Sequence, residues 1–404
     1  MLSPHALYDS APPPQVPVLD IDPFSAAFFD DPYPAHAAMR DAGPFVWLER
    51  YNVGAVARYA DVREVLTDWG RFSSARGVGM EDFERHGRFR LPSLILEADP
   101  PLHSRSRGVL SRALSPPVLK MLRARFATEA ETMVEALAAR RRFDAIADLA
   151  ERYPLRVFPD AMGMKREGRE KLLPHAEMLF NSFGPRNALF EASRAKASFE
   201  WIEEQGRREN LSAGLGLVIH EAADRGEIGH DEAPLLVRAL LQAGLDTTVN
   251  AIGATLYCLA RFPDQWTRLR EEPALAKPAF DEAIRFESPV QTFFRTVTRD
   301  TEIGGAPVRE GDKILMMLAA ANRDPRRWSE ADRYDIARST TGHVGFGSGI
   351  HQCVGQILAR MEGELVLDAL LRRVKRIRIA GEVVRRHNNT LRGLASLPVE
   401  VEPL

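Results

Sequence analysis

The sequence predicts a mainly α-helical protein with small β-sheets, and three observations predict it. From Pro116 to about Leu275 the apolar residues recur at the 3.6-residue period of helices with little interruption. Alternating, strand-like stretches are short and fall before Ala60 or after Thr292. No repeat or linker divides the 404 residues. One domain over 16–404, after an irregular tail over 1–15, is therefore expected, although length alone would allow more.

The elements follow in order. Asp31-Pro32-Tyr33-Pro34 introduces a short helix through Met39, since proline is tolerated in a first turn. Phe45–Trp47 and Val53–Ala57 alternate around Tyr51-Asn52, which predicts a hairpin. Asp61 is the expected cap of the next helix, whose Val62, Val65, Leu66 and Trp69 share a face. The longest helix is expected from about Pro234 to Ala260, roughly 40 Å at 1.5 Å per residue. It is apolar on nearly all sides and so should cross the interior. Strands are expected at Phe293–Thr298, Ile303–Gly304 and Lys313–Met317, a helix from Gly355 to about Val374, and short strands from Ile377 to Val401 around Asn388-Asn389-Thr390.

Composition narrows the function. The residues are 45% hydrophobic and 27% charged, so a large core can form. A net charge of -2 supplies no basic field for nucleic acid or an anionic membrane. No window approaches the roughly 20 apolar residues of a membrane span, and Met1-Leu2-Ser3-Pro4-His5 does not open a signal peptide. The two cysteines, Cys258 and Cys353, imply no disulfide framework. These features fit a soluble cytoplasmic protein for which a monomer suffices.

The strongest local signal is Phe346-Gly347-Ser348-Gly349-Ile350-His351-Gln352-Cys353-Val354-Gly355. The glycines permit tight turns and close approach to a flat ligand. Cys353 stands where a helix begins, and the N–H groups there favour an anionic sulfur. Cys258 lies among Leu256, Leu259 and Ala260 and is read as structural.

Phe346, Gly349, Cys353 and Gly355 match the haem-thiolate signature, and the chain resembles the cytochrome P450 family over essentially its whole length. The resemblance implies haem b held by the Cys353 thiolate, with Phe346, Gly347 and Gly355 against it. It implies that Ala243 and Gly244 leave room for dioxygen, and that Asp246 and Thr247 deliver protons. His103, Arg107, Arg295 and His351 match propionate-binding positions. Glu282 and Arg285, at i and i+3, would form a structural network with Arg338. No dinucleotide fingerprint is present, so electrons from NAD(P)H are expected through a ferredoxin and its reductase. Arg105, Arg112, Lys120, Arg123 and Arg125 form a basic patch that such a partner could dock against. A haem sensor would not need Asp246 and Thr247, and peroxide-driven relatives usually replace them.

Several stretches resemble a narrower group that oxidises para-substituted benzoates. These are Arg90–Leu96, Phe180–Pro185, Ser288–Arg295 and Asn388–Leu394. The resemblance implies apolar walls from Phe180, Phe183, Phe293, Leu96 and Leu394. It implies a carboxylate bound or screened by Arg90 and Ser93, with Arg238 assisting. Where serines would be expected, this chain has Ala239 and Gln242. The expected reaction is O-demethylation of a 4-methoxybenzoate-like acid. A phenol, a cinnamate or a terpene is the alternative substrate.

Overall fold

The computed structural model describes residues 7–404. About 48% of the chain is helical, with small sheets, which is the predicted mainly-α class. Residues 1–6 of the expected tail lie outside the described residues. The rest of the tail, 7–15, forms no helix or strand, yet it is anchored: Tyr8 is buried and its hydroxyl donates to Met80 O at 2.6 Å.

The largest sheet has six strands in the order Val18–Leu19, Val46–Leu48, Val53–Val56, Lys313–Met317, Thr292–Val297, Phe72–Ser73. The expected hairpin pairs Val46 with Ala55 and Leu48 with Val53. Asn52 takes φ 51 at its turn, and at Gly54 a Cβ would fall 2.2 Å from the Phe45 ring. A second sheet joins Val374–Ile379, Pro398–Pro403 and Arg142–Asp144. Its Arg142–Asp144 strand was not expected. Three residues between two helices carry no alternation to read.

Two helix boundaries differ from expectation. The helix expected to be capped by Asp61 is Tyr59–Thr67, so Asp61 lies inside its first turn. The N-terminal Tyr59 N–H is instead satisfied by Asp324 Oδ2 at 2.8 Å, a partner remote in sequence. The C-terminal helix spans Gln356–Leu371, and Val374 already begins a strand.

The more consequential difference is in the long helix. It is two helices, Glu232–Ala243 and Asp246–Arg261, separated at Gly244-Leu245. Leu245 takes φ -99 and ψ -67, away from regular helix. The Thr247 hydroxyl donates to Ala243 O at 2.8 Å, and that of Thr248 to Gly244 O at 3.0 Å. Hydroxyls thus satisfy carbonyls beside the break, a bonding pattern that bends helices. Gly244 also packs closely, for a Cβ there would lie 2.7 Å from the Phe158 ring.

Behind this break the Asp246–Arg261 helix is buried almost completely and packs against the helices Ala276–Glu287 and Gln356–Leu371. Cys258 is fully buried there, in agreement with a structural role.

Candidate active site

Cys353 lies just before the Gln356–Leu371 helix, in the loop predicted to hold it. Its N–H donates to Phe346 O at 2.8 Å, which folds the loop back on itself. Gly347 and Gly349 have φ 71 and 69, the left-handed conformation that glycine adopts without strain. At Gly349 a Cβ would fall 2.8 Å from Leu66 O, so the loop also needs the missing side chain to seat. Burial raises the Cys353 thiol pKa. Hydrogen bonds from the backbone of Gly355 and Gln356, with Arg107 and Arg360 nearby, act in the opposite direction and favour the thiolate.

Above this sulfur lies a cavity of about 1720 Å³, mouth included. Cys353, Phe346, Gly347 and Gly355 line one wall, with Ala243, Gly244 and Thr247 on another. Beside these walls stand Arg107, Arg295, His351 and His103, of which the two histidines have buried ring nitrogens without a hydrogen-bond partner among the described residues. Arg295 is 3% exposed and donates to Phe294 O at 2.9 Å. Burial lowers its pKa to about 10. His351 Nδ1 is 3.2 Å from Ile95 O, while its buried Nε2 stands 3.8 Å from Asp99, too far for a hydrogen bond. His103 does not itself line the cavity; it meets His351 edge-on at 4.5 Å, and neither of its ring nitrogens has a partner among the described residues. Burial, then His351 and Arg107, lowers the His103 pKa to about 4. Arg107 lines the cavity and donates to Gln352 O. Buried ring nitrogens without partners are costly, and with the two arginines beside them this set fits the two carboxylates of a flat, dianionic haem.

Glu282, Arg285 and Arg338 meet as the sequence predicted. Arg285 Nε and Nη2 donate to Glu282 at 2.7 and 2.8 Å, and Arg338 Nε at 3.2 Å. Glu282 and Arg285 are both fully buried. Arg285 also reaches the carbonyls of Asn322 and Ala331, so this network ties the segment leading into the cysteine loop to the core.

Thr247 lines the cavity, but Asp246 does not. The Asp246 carboxylate accepts from Asn250 Nδ2 at 3.2 Å and lies 3.9 Å from Arg386 Nη1. Burial, partly countered by Arg386, raises its pKa to about 7.

Most of the predicted substrate residues converge on the cavity: Arg90, Ser93, Leu96, Phe180, Phe183, Arg238, Ala239, Gln242 and Phe293 all line it. The Phe180 and Phe183 rings meet edge-on at 5.7 Å, and Phe293 lies 5.7 Å from Phe183. Leu394 is the exception. It is buried in the main core, on a strand whose Gly393 abuts Asn250, and it does not line the cavity. Leu391, three residues earlier, packs with Phe180 and Phe183 instead.

Two partners escaped the sequence, Glu97 and His175. Glu97 forms a two-pronged ion pair with Arg90, both bonds 2.7 Å, which neutralises that arginine. Ser93 is engaged in the same turn: its N–H donates to Glu97 at 2.9 Å and its hydroxyl accepts from Leu96 N at 3.2 Å. His175 contacts Gln242 at 2.8 Å. Loop pairs and helix-to-helix contacts of this kind leave no periodic trace. The expected basic patch is mostly compensated, since Arg105, Arg112, Arg123 and Arg125 pair with Glu232, Glu227, Glu364 and Asp160.

No helix among the described residues is long and apolar enough to cross a membrane. The family model described as cytochrome P450 matches residues 186–401. Cytochrome p450 CYP199A2 of Rhodopseudomonas palustris is 59% identical over 392 residues, covering 96% of this chain and 95% of its own. Linalool 8-monooxygenase of Pseudomonas putida is 31% identical, covering 92% and 96%. A solved structure of cytochrome P450 CREJ in complex with (4-ethylphenyl) dihydrogen phosphate has a TM-score of 0.85 at 25% identity, covering 94% of this chain and 99% of that one. The chain belongs to the cytochrome P450 family, haem-thiolate monooxygenases that bind haem b and draw electrons from NAD(P)H through partner proteins.

Proposed function

We propose that the protein oxidises the para substituent of a small aromatic acid, as in O-demethylation of a 4-methoxybenzoate-like substrate, with electrons from a ferredoxin. The carrying observation is a cavity lined by three phenylalanines in mutual ring contact, Phe180, Phe183 and Phe293, together with Arg90, Arg238 and Gln242. A flat ring fits between the aromatic walls, and a polar end held there fixes which C–H group faces the oxidant. The CREJ complex, whose ligand is itself a para-substituted aryl phosphate, lends support.

Bound haem at Cys353 supplies oxygen activation and removal of a substrate hydrogen. The chain's own groups position and protonate. His103, His351, Arg107 and Arg295 hold the cofactor's carboxylates. Thr247 presents its hydroxyl at the cavity wall, and Asp246 stores a proton behind it. Hydroxylation of the methoxy carbon gives a hemiacetal that releases formaldehyde.

Titration with 4-methoxybenzoate tests the substrate. A low-to-high-spin shift in the visible spectrum is expected. No shift at millimolar acid, together with a shift from a neutral phenol or terpene, would defeat the assignment.

The role of Asp246 predicts a pH dependence. Its raised pKa means the proton is held below about pH 7 and lost as pH rises through that value. With saturating reduced ferredoxin, product formation should fall above that pH. Asp246→Asn should be slower by about 100-fold and lose that limb. An unchanged profile in the variant would remove Asp246 from proton delivery.

A further inference from the structure

Phe346 lines two spaces at once. It forms part of the cavity above Cys353, and it also lines a second cleft, open to solvent, with Asp281, Gln352, Ile357 and Arg360. Its ring therefore stands between the haem site and the surface. The Arg360 guanidinium lies over that ring, 4.5 Å from its centroid, the placement in which a cation is drawn to an aromatic face.

Arg360 is fixed by two neighbours. Its Nε donates to both oxygens of Asp281, at 2.7 and 3.0 Å, and its Nη1 donates to Gln356 Oε1 at 2.8 Å. Gln356 and Arg360 are four residues apart on the Gln356–Leu371 helix and so share a face. Asp281 comes from the Ala276–Glu287 helix packed against it, one residue before Glu282 of the buried network. The arginine and aspartate side chains are only 19% and 14% exposed, so solvent screens their charges less than it screens a surface pair. Asp281 takes the Nε edge of the guanidinium and leaves its plane to Phe346.

The charge also reaches the sulfur. Arg107 and Arg360 both favour the Cys353 thiolate. Arg107 lines the cavity and donates to Gln352 O, a place suited to a cofactor carboxylate. Arg360 does not line the cavity, and nothing in the reaction described above uses it. The His343 ring, 5.7 Å from that of Phe346, adds no charge, because burial lowers its pKa to about 3.

Reduction brings one electron from the redox partner, and hence one negative charge, to a centre that already carries the thiolate. A fixed cation close by stabilises the more negative state. We propose that Arg360 is a positioning residue for electron uptake: anchored by Asp281 and Gln356, it braces Phe346 and raises the reduction potential of the haem held by Cys353. The inference rests on haem ligation by Cys353 and is independent of the substrate.

The test is a spectroelectrochemical titration of the haem-loaded enzyme without substrate. Arg360→Leu should move the ferric–ferrous equilibrium roughly tenfold toward ferric, a potential ~59 mV more negative for one electron. Arg360→Lys, which keeps the charge, should recover most of that loss. Asp281→Asn removes the counter-charge and should shift the potential the other way. Haem content and the thermal unfolding midpoint are read alongside, since a purely structural role would lower those and leave the potential in place. An unchanged potential in Arg360→Leu overturns the proposal, as does a lysine variant no different from the leucine one, or a negative shift in Asp281→Asn. If Arg360→Leu fails to hold haem, Asp281→Asn decides alone: a positive shift supports the proposal, and a zero or negative shift overturns it.

Discussion

Glu282→Ala is expected to yield little folded, haem-loaded protein. The substitution leaves the Arg285 guanidinium fully buried without its carboxylate, and removes the acceptor shared by Arg338 and the Asp335 N–H. Breaking a buried pair on one side costs about 3–5 kcal/mol. Against a total stability of about 5–15 kcal/mol this is decisive. The surviving contacts of Arg285 with the Asn322 and Ala331 carbonyls do not neutralise its charge. Thermal unfolding followed by circular dichroism, with haem content measured in parallel, checks the expectation. An unfolding midpoint and haem content equal to wild type would show that the network is incidental.

Replacing Cys353 carries the other large effect. Cys353→Ala should reduce monooxygenase turnover to background while leaving most of the fold intact, because the loop is set by backbone geometry. The Gly347 and Gly349 turns and the hydrogen bond from residue 353 N–H to Phe346 O do not need the sulfur. Loss of the thiolate removes the electron density that favours O–O cleavage. The comparison to make is product formed per NAD(P)H against helical content. Retained turnover would move the ligand elsewhere.

The sequence made these two features legible for the same reason. The cysteine loop is short, and its glycines are dictated by local backbone geometry. The Glu282–Arg285 pair lies within one helical turn, where spacing determines proximity. The aromatic walls were legible through resemblance, and their placement in one cavity follows from the fold. What stayed hidden depends on chain segments meeting from far apart. Glu97 neutralises Arg90 only because the intervening loop doubles back, and His175 reaches Gln242 only because two helices pack side by side.

Two misplacements have local causes. Apolar residues continue without pause across Gly244-Leu245, so hydrophobic period could not reveal the break; the adjoining Thr247-Thr248 hydroxyls were the available cue. Leu394 and Leu391 are both apolar and both near the Asn388-Asn389-Thr390 turn. Which one meets the phenylalanines depends on where the turn ends and the Gly393–Ser396 strand begins, and composition does not fix that.

The central claim is the bond between the Cys353 sulfur and haem iron, and the spectrum of the reduced, carbon-monoxide-treated protein tests it most directly. Wild-type protein should show the long-wavelength Soret band that separates thiolate-ligated from imidazole-ligated haem, and Cys353→Ala should lack it. Absence of that band in freshly prepared wild-type holoprotein, or its persistence in the variant, would contradict the account.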